Sequence, residues 1–182
     1  MDIVRIIPNC ILTIFFLMTC FANAQVFKTQ EEALQEAFAT ADTVLRQTVF
    51  LDDTEVEWLQ KKSRSQFSSQ VISYYVGIKN GTPTDYAFFE DQIVRTKKAI
   101  AMVLVTPGGT VKNVEVLAFY EPQDYLPIKR WFELFWGKEL SANLWPGKEI
   151  HAVTGATLSV RSFTMSTRRA LALFEFIRDH SS

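Results

Sequence analysis

The segment Thr154-Gly155-Ala156-Thr157-Leu158-Ser159 brings three hydroxyls and two small residues together at the start of a long amphipathic run. If this run is a helix, its first turn carries backbone N–H groups with no partner inside the helix, at the positive end of the helix dipole. Such an end attracts anions, phosphate above all. Gly155 and Ala156 leave the backbone approachable, and Thr154, Thr157 and Ser159 add side-chain oxygens. Thr154, Gly155, Ala156, Thr157, Leu158 and Ser159 are therefore candidate contacts to a phosphate-bearing ligand. The plainer alternative is an ordinary helix start in which Ser159 caps and Gly155 makes the turn.

Few other residues offer chemistry. The chain has two histidines, His151 and His180, far apart and without a carboxylate or cysteine cluster at ligand spacing. Its two cysteines, Cys10 and Cys20, fall in an N-terminal stretch that reads as an export signal. Arg5 gives a weak positive start, residues 11–21 are mostly apolar, and Ala22-Asn23-Ala24 is a small-x-small cleavage site. Cleavage after Ala24 would leave no thiol for a disulfide, an iron–sulfur cluster or a haem attachment. The alternative is an uncleaved anchor, although the apolar stretch falls short of the roughly 20 residues that span a bilayer. A net charge of −1 and the lack of a basic stripe argue against nucleic-acid binding. No Gly-x-Gly-x-x-Gly follows a strand, so an independent nicotinamide-dependent enzyme is not expected. Electron handling would need an organic cofactor.

The run His151-Ala152-Val153-Thr154-Gly155-Ala156-Thr157-Leu158-Ser159 resembles the signature of the FMN-binding domain family. That family includes the C subunit of the sodium-pumping NADH:quinone reductase and the G subunit of the Rnf electron-transport complex. Its pattern is Asp-x-x-(Ser/Thr)-Gly-Ala-Thr-x-(Ser/Thr), and FMN is held by a phosphoester to the Thr after Gly-Ala. By position the resemblance makes Thr157 the acceptor, with His151 standing where the family has Asp. Residues 114–122, ending in Tyr120-Glu121-Pro122, and the run Phe135-Trp136-Gly137-Lys138 also resemble the family, so the likeness spans about residues 87–173. It implies that Tyr120 and Glu121 lie near the flavin and that a separate flavin transferase, using FAD as donor, performs the attachment. Trp145, in a loop just before the signature, is the aromatic candidate for ring contact. Trp131, Phe132, Phe135 and Trp136 are candidates too, with burial as core the alternative for each. Lys138, Lys148 and Arg161 flank the signature in sequence as possible cations.

The elements that must position this segment are legible in outline. Thr29-Gln30-Glu31-Glu32 fits a capping box, and Ala33, Leu34, Ala37, Phe38, Ala41 and Leu45 follow at helical spacing. A second box, Thr54-Glu55-Val56-Glu57, predicts a short helix to about Lys62, then a polar surface connection to Gln70. Residues 71–76, 86–89, 99–106 and 111–119 read as strands, with turns at Asn80-Gly81 and Pro107-Gly108-Gly109. Residues 128–135 carry aromatics at helical spacing and end at Gly137. After Val160, Phe163, Thr167, Leu171, Phe174 and Ile177 mark a helix face.

The expected fold is α+β, a largely antiparallel central sheet flanked by helices, with the flavin phosphate at the N-terminus of the C-terminal helix. The expected organisation is a signal peptide over 1–24, an N-terminal helical segment over 25–70 and an FMN-binding domain over 71–182. The expected function is an exported flavoprotein, periplasmic or otherwise extracytoplasmic and in contact with the membrane or extracytoplasmic redox proteins. It would carry covalent FMN at Thr157 and act as an electron carrier or redox subunit. The alternative is a non-covalent flavin-binding or redox-sensing module.

Overall fold

The computed structural model describes residues 25–180, and the expected signal peptide lies outside the described residues. A six-stranded sheet forms the centre, in the spatial order β1-β6-β5-β4-β3-β2. Its strands are β1 (Gln25–Val26), β2 (Thr43–Phe50), β3 (Val71–Lys79), β4 (Thr82–Ile93), β5 (Lys98–Val105) and β6 (Val111–Phe119). Every pairing is antiparallel. From β2 to β6 each strand pairs with the next; short turns join β3 to β6, as antiparallel ladders allow, while the longer β2–β3 connection carries a helix. The α+β expectation holds.

Helices cover both faces. On one face α1 (Gln30–Ala37) packs over Ala87, Met102, Leu104 and Leu117, with Ala33 and Phe38 as its buried contacts. On the other, α3 (Thr157–His180) lays Val160, Phe163, Leu171 and Phe174 against Phe88, Ala101, Val103, Val114 and Phe119. Full burial of each of the large apolar side chains is worth about 1.5–3 kcal/mol, so the α3 face dominates the core. The helix α2 (Asp53–Ser63) packs beside α3, and a 3-10 helix over Lys129–Phe135 buries Trp131, Phe132 and Phe135.

Three elements differ from the sequence reading. The helical spacing through Leu45 does not extend α1, which stops at Ala37. Residues 43–50 form the edge strand β2 instead, pairing Leu45 with Val76 and Val49 with Ile72. The β-branched content of Thr43-Val44 and Thr48-Val49 suits a strand, and pairing with β3 settles it. The 25–70 segment thus supplies two strands to the common sheet and is not purely helical. The second capping box is Asp52 with Glu55, two residues earlier than expected: Glu55 N–H donates to Asp52 Oδ1 at 2.8 Å and Asp52 N–H to Glu55 Oε2 at 2.8 Å. The connection after α2 is partly interior, because Ser65 is buried.

Gly77 marks a close approach between α1 and the sheet, at a register shift of the β3–β4 ladder. A Cβ there would lie 2.7 Å from Thr84 Oγ1 and 2.8 Å from Phe38 Cε1. Gly77→Ala is therefore expected to destabilise the fold by about 1–3 kcal/mol, the usual cost of overpacking, read by urea denaturation.

A buried acid joins α3 to β4. Glu90 pairs with Arg169 in the interior. Burial pushes its carboxyl up to about 7, against the pull of the Arg169 guanidinium. The folded state then holds a proton that the unfolded chain has released above about 4.5. Stability contributed by this group falls as pH rises from about 4.5 to about 7, by at most about 1.4 kcal/mol per pH unit. Denaturation of wild type and Glu90→Gln across that range should show this slope in the wild type and its loss in the variant.

Candidate functional site

The first two helices close their own N-termini and the third does not. In α1, Thr29 Oγ1 accepts from the Glu32 N–H, and in α2 Asp52 does the same for Glu55. At α3 the backbone N–H groups of Thr157, Leu158 and Ser159 find no acceptor among the described residues, while Val160 N–H already bonds Ala156 O at 2.9 Å. Ser159 is not a cap. It is buried, and its hydroxyl donates to the Tyr125 carbonyl. Three successive donors at the positive end of a 24-residue helix are thus left for a ligand or solvent.

The segment before the helix is held from behind. Trp131 is buried, and its indole N–H donates to His151 O at 2.8 Å. Ala156 N–H bonds Val153 O at 3.1 Å, and Gly155 adopts φ +83°, the left-handed region that favours glycine. Nothing lies within 4 Å of where a Gly155 Cβ would stand, so the backbone there faces open space. Ala156 is buried under the turn, whereas Thr157 and Leu158 are exposed.

These residues line a cavity of about 350 Å³. Its wall consists of Gly155, Ala156, Thr157, Leu158 and Ser159 with Arg95 and Tyr125. Two of these were not legible as site residues. Arg95 sits in the turn between β4 and β5, inside the basic run Arg95-Thr96-Lys97-Lys98, and Tyr125 lies in a 3-10 turn (Gln123–Tyr125) after β6. The basic run was the available signal, but only the fold brings it to the signature. The Arg95 guanidinium carbon lies 4.4 Å from the centroid of the Tyr125 ring, a cation–π distance.

Other sequence candidates stand elsewhere. Trp145 does not line this cavity. Its half-buried ring lies 5.5 Å from the guanidinium carbon of Arg168, eleven residues into α3. Thr154 is exposed and outside the lining, and Tyr120, half-buried at the end of β6, bonds Lys98 O through its N–H. Glu121 is buried, and its Oε1 accepts from Thr96 N–H at 2.6 Å, Lys97 N–H at 2.8 Å and Thr96 Oγ1 at 3.2 Å. Lys138 pairs with Glu149 at 3.2 Å, and Lys148 Nζ lies 3.3 Å from Ala142 O. Arg161 is exposed on α3, one turn beyond Thr157. Trp131, Phe132 and Phe135 are core, and Trp136 is exposed.

A larger groove of about 800 Å³ runs along β6 between α1 and the aromatic 3-10 helix, lined by Phe27, Met102, Leu104, Val116, Phe132 and Trp136 among others. Leu126 belongs to this groove and its neighbour Tyr125 to the signature cavity. The smaller cavity combines the unpaired donors of the α3 start with a cation, Arg95. No group of three or more His, Cys, Asp or Glu able to hold a metal occurs among the described residues. No helix there is long and apolar enough to cross a membrane.

Residues 96–172 match the model of the FMN-binding domain. The match begins in the β4–β5 turn and contains Glu121, Tyr125 and the whole signature. In three dimensions the chain is similar to a crystal structure of NqrC from Shewanella oneidensis, with a TM-score of 0.54 and 15% sequence identity over 83% of this chain and 90% of that one. At that identity the likeness is one of fold. No curated protein matches the chain by sequence.

Proposed function

From the FMN-binding domain that residues 96–172 carry, we propose that this protein is an exported flavoprotein holding FMN by a phosphoester to Thr157. It passes electrons in an extracytoplasmic or membrane-associated redox chain. The observation that carries the reading is the open start of α3, where an exposed threonine stands beside three unpartnered N–H donors. When bound, the isoalloxazine ring of FMN supplies the redox chemistry.

The residues present fit a phosphate-bearing group. Thr157 offers the attachment oxygen, and the N–H groups of Thr157, Leu158 and Ser159 receive the charge of the phosphate. Gly155 keeps the approach to the backbone clear, and Trp131 fixes the carbonyl of His151 and with it the chain leading into the turn. Ser159 spends its hydroxyl on Tyr125, which ties the cavity wall to the helix and leaves Thr157 as the free hydroxyl at its mouth.

A flavin transferase using FAD as donor is the partner this reading requires. Membrane or extracytoplasmic redox proteins would deliver and accept the electrons. The N-terminal pattern of residues 1–24 supports export.

The test is the intact mass and visible spectrum of the mature protein coexpressed with such a transferase. An added FMN mass with flavin absorption is expected, and an unmodified, colourless protein would sink the reading. One departure favours a second reading, non-covalent flavin binding or redox sensing: His151 occupies the position where the attachment pattern begins with Asp. Flavin colour that denaturation releases from a chain of unmodified mass would select that alternative.

A further inference from the structure

We propose that Arg95 is a binding residue for the phosphate at the start of α3, and that Glu121 is the positioning residue that holds Arg95 there. This rests on the FMN reading above and assigns two residues outside the signature to the same site.

Arg95 is the charged residue in the wall of the signature cavity, which contains no carboxylate among its lining residues. Its charge therefore adds to the positive end of α3, and both favour an anion. Among the described residues Arg95 forms no ion pair. Its contact is the Tyr125 ring at 4.4 Å, which supports the guanidinium without neutralising it. Planar guanidinium groups suit phosphate because their N–H groups can engage two oxygens together.

An exposed arginine on a turn would ordinarily wander, and Glu121 is the reason this turn is fixed. Its carboxylate is buried directly beneath the two residues that follow Arg95, and one oxygen gathers both their N–H groups and the Thr96 hydroxyl. Val94 N–H closes the turn on Lys97 O at 3.0 Å, and Tyr120 N–H ties its far end to β6 through Lys98 O at 3.0 Å. Burial works to raise the Glu121 carboxyl, but the donors from Thr96, Lys97 and Arg95 bring it below its ordinary range, so it stays an acceptor-only carboxylate. A second tie completes the frame: Ser159 binds the carbonyl of Tyr125, whose ring supports Arg95. The anion site is thus built from α3, the turn after β4 and the segment after β6, each fastened to the next.

The test uses the full chain coexpressed with a transferase, reading the loaded fraction by intact mass and the attached phosphodiester by ³¹P NMR. Arg95→Gln is expected to lower the rate of loading about tenfold and to move the ³¹P resonance of the chains that are loaded. Arg95→Lys should recover much of both, because it keeps the charge. Glu121→Ala, which removes the oxygen that gathers the Thr96 and Lys97 donors, should reproduce the Arg95→Gln effects, and combining the two should cost little more than either, since Glu121 acts through Arg95. Because loading also depends on docking of the transferase, the ³¹P resonance decides. A resonance identical in wild type, Arg95→Gln and Glu121→Ala overturns the proposal. Fully additive losses of loading overturn the positioning role. Wild-type chain that takes up no FMN sinks the underlying reading, whereas loaded wild type with unaffected variants sinks the Arg95 assignment alone.

Discussion

Thr157→Ala is expected to abolish FMN attachment completely, with no added mass and no flavin absorption, while the protein keeps its fold. The structure separates the two effects. Thr157 is exposed at the first position of α3, and its hydroxyl makes no hydrogen bond among the described residues. It caps nothing, so its loss should change stability by less than about 0.5 kcal/mol, well under the cost of losing a true cap. Neighbouring hydroxyls cannot substitute. Thr154 lies outside the cavity lining, and Ser159 is buried and committed to the Tyr125 carbonyl. Thr157→Ser keeps an oxygen at the same place and should retain attachment. Ser159→Ala should also retain the adduct, at a stability cost of about 0.5–1.5 kcal/mol for the lost hydrogen bond. If Thr157→Ala still carried a covalent flavin, the acceptor would be another residue.

Arg168→Met is expected to be the most destabilising single change, by about 3 kcal/mol or more. Arg168 is 2% exposed and has no carboxylate partner in its shell of hydrogen bonds. Nε donates to Ser63 O at 2.7 Å and Nη2 to Lys62 O at 3.0 Å, both at the C-terminus of α2. Nη1 donates to Ser141 O at 2.5 Å and Leu144 O at 3.1 Å in the loop that leads toward the signature. The charge therefore rests on four carbonyls, two of them at the negative end of a helix dipole, with the Trp145 ring alongside. Desolvation, and then the charge of Arg64, lowers the Arg168 pKa, although a guanidinium stays protonated at neutral pH. Methionine fills similar volume but leaves the buried carbonyls unpaired, each costing about 1–3 kcal/mol. For a domain of this size, 3 kcal/mol corresponds to about 6–12 °C in Tm. Arg168→Lys should recover only part of this, because an ammonium cannot reach both sides of the fork. A loss below about 1 kcal/mol would show that the loop and α2 do not depend on this residue.

Arg168 also shows where reading the sequence stops. Its position on the amphipathic run is visible. That it lies on the buried side and binds the end of α2 is not, because an arginine in a helix is by default solvated. The same holds for Trp145. A loop tryptophan before the signature is a reasonable ring platform, yet its ring lies beside Arg168 of α3, a neighbour that only the tertiary packing supplies. The resemblance put Glu121 near a flavin, whereas its place as the anchor of the turn after β4 shows only in the structure. Leu45 fails for a different reason. Its spacing continues a helix, but the hydrogen bonds offered by β3 outweigh a local preference.

By itself the sequence determined four strands between Val71 and Phe119, the antiparallel α+β class and a last helix that opens in the segment from Thr154 to Ser159. These follow from local periodicity, turn residues and the few side chains that a helix start tolerates, all of which act within a few residues of one another. Only the tertiary structure decided the pairing of β2 and the burial of Arg168. It also decided that Arg95 and Tyr125 share a cavity with the signature. Those outcomes depend on contacts between residues about 20 to more than 100 positions apart, where no local pattern constrains the partner and burial selects it.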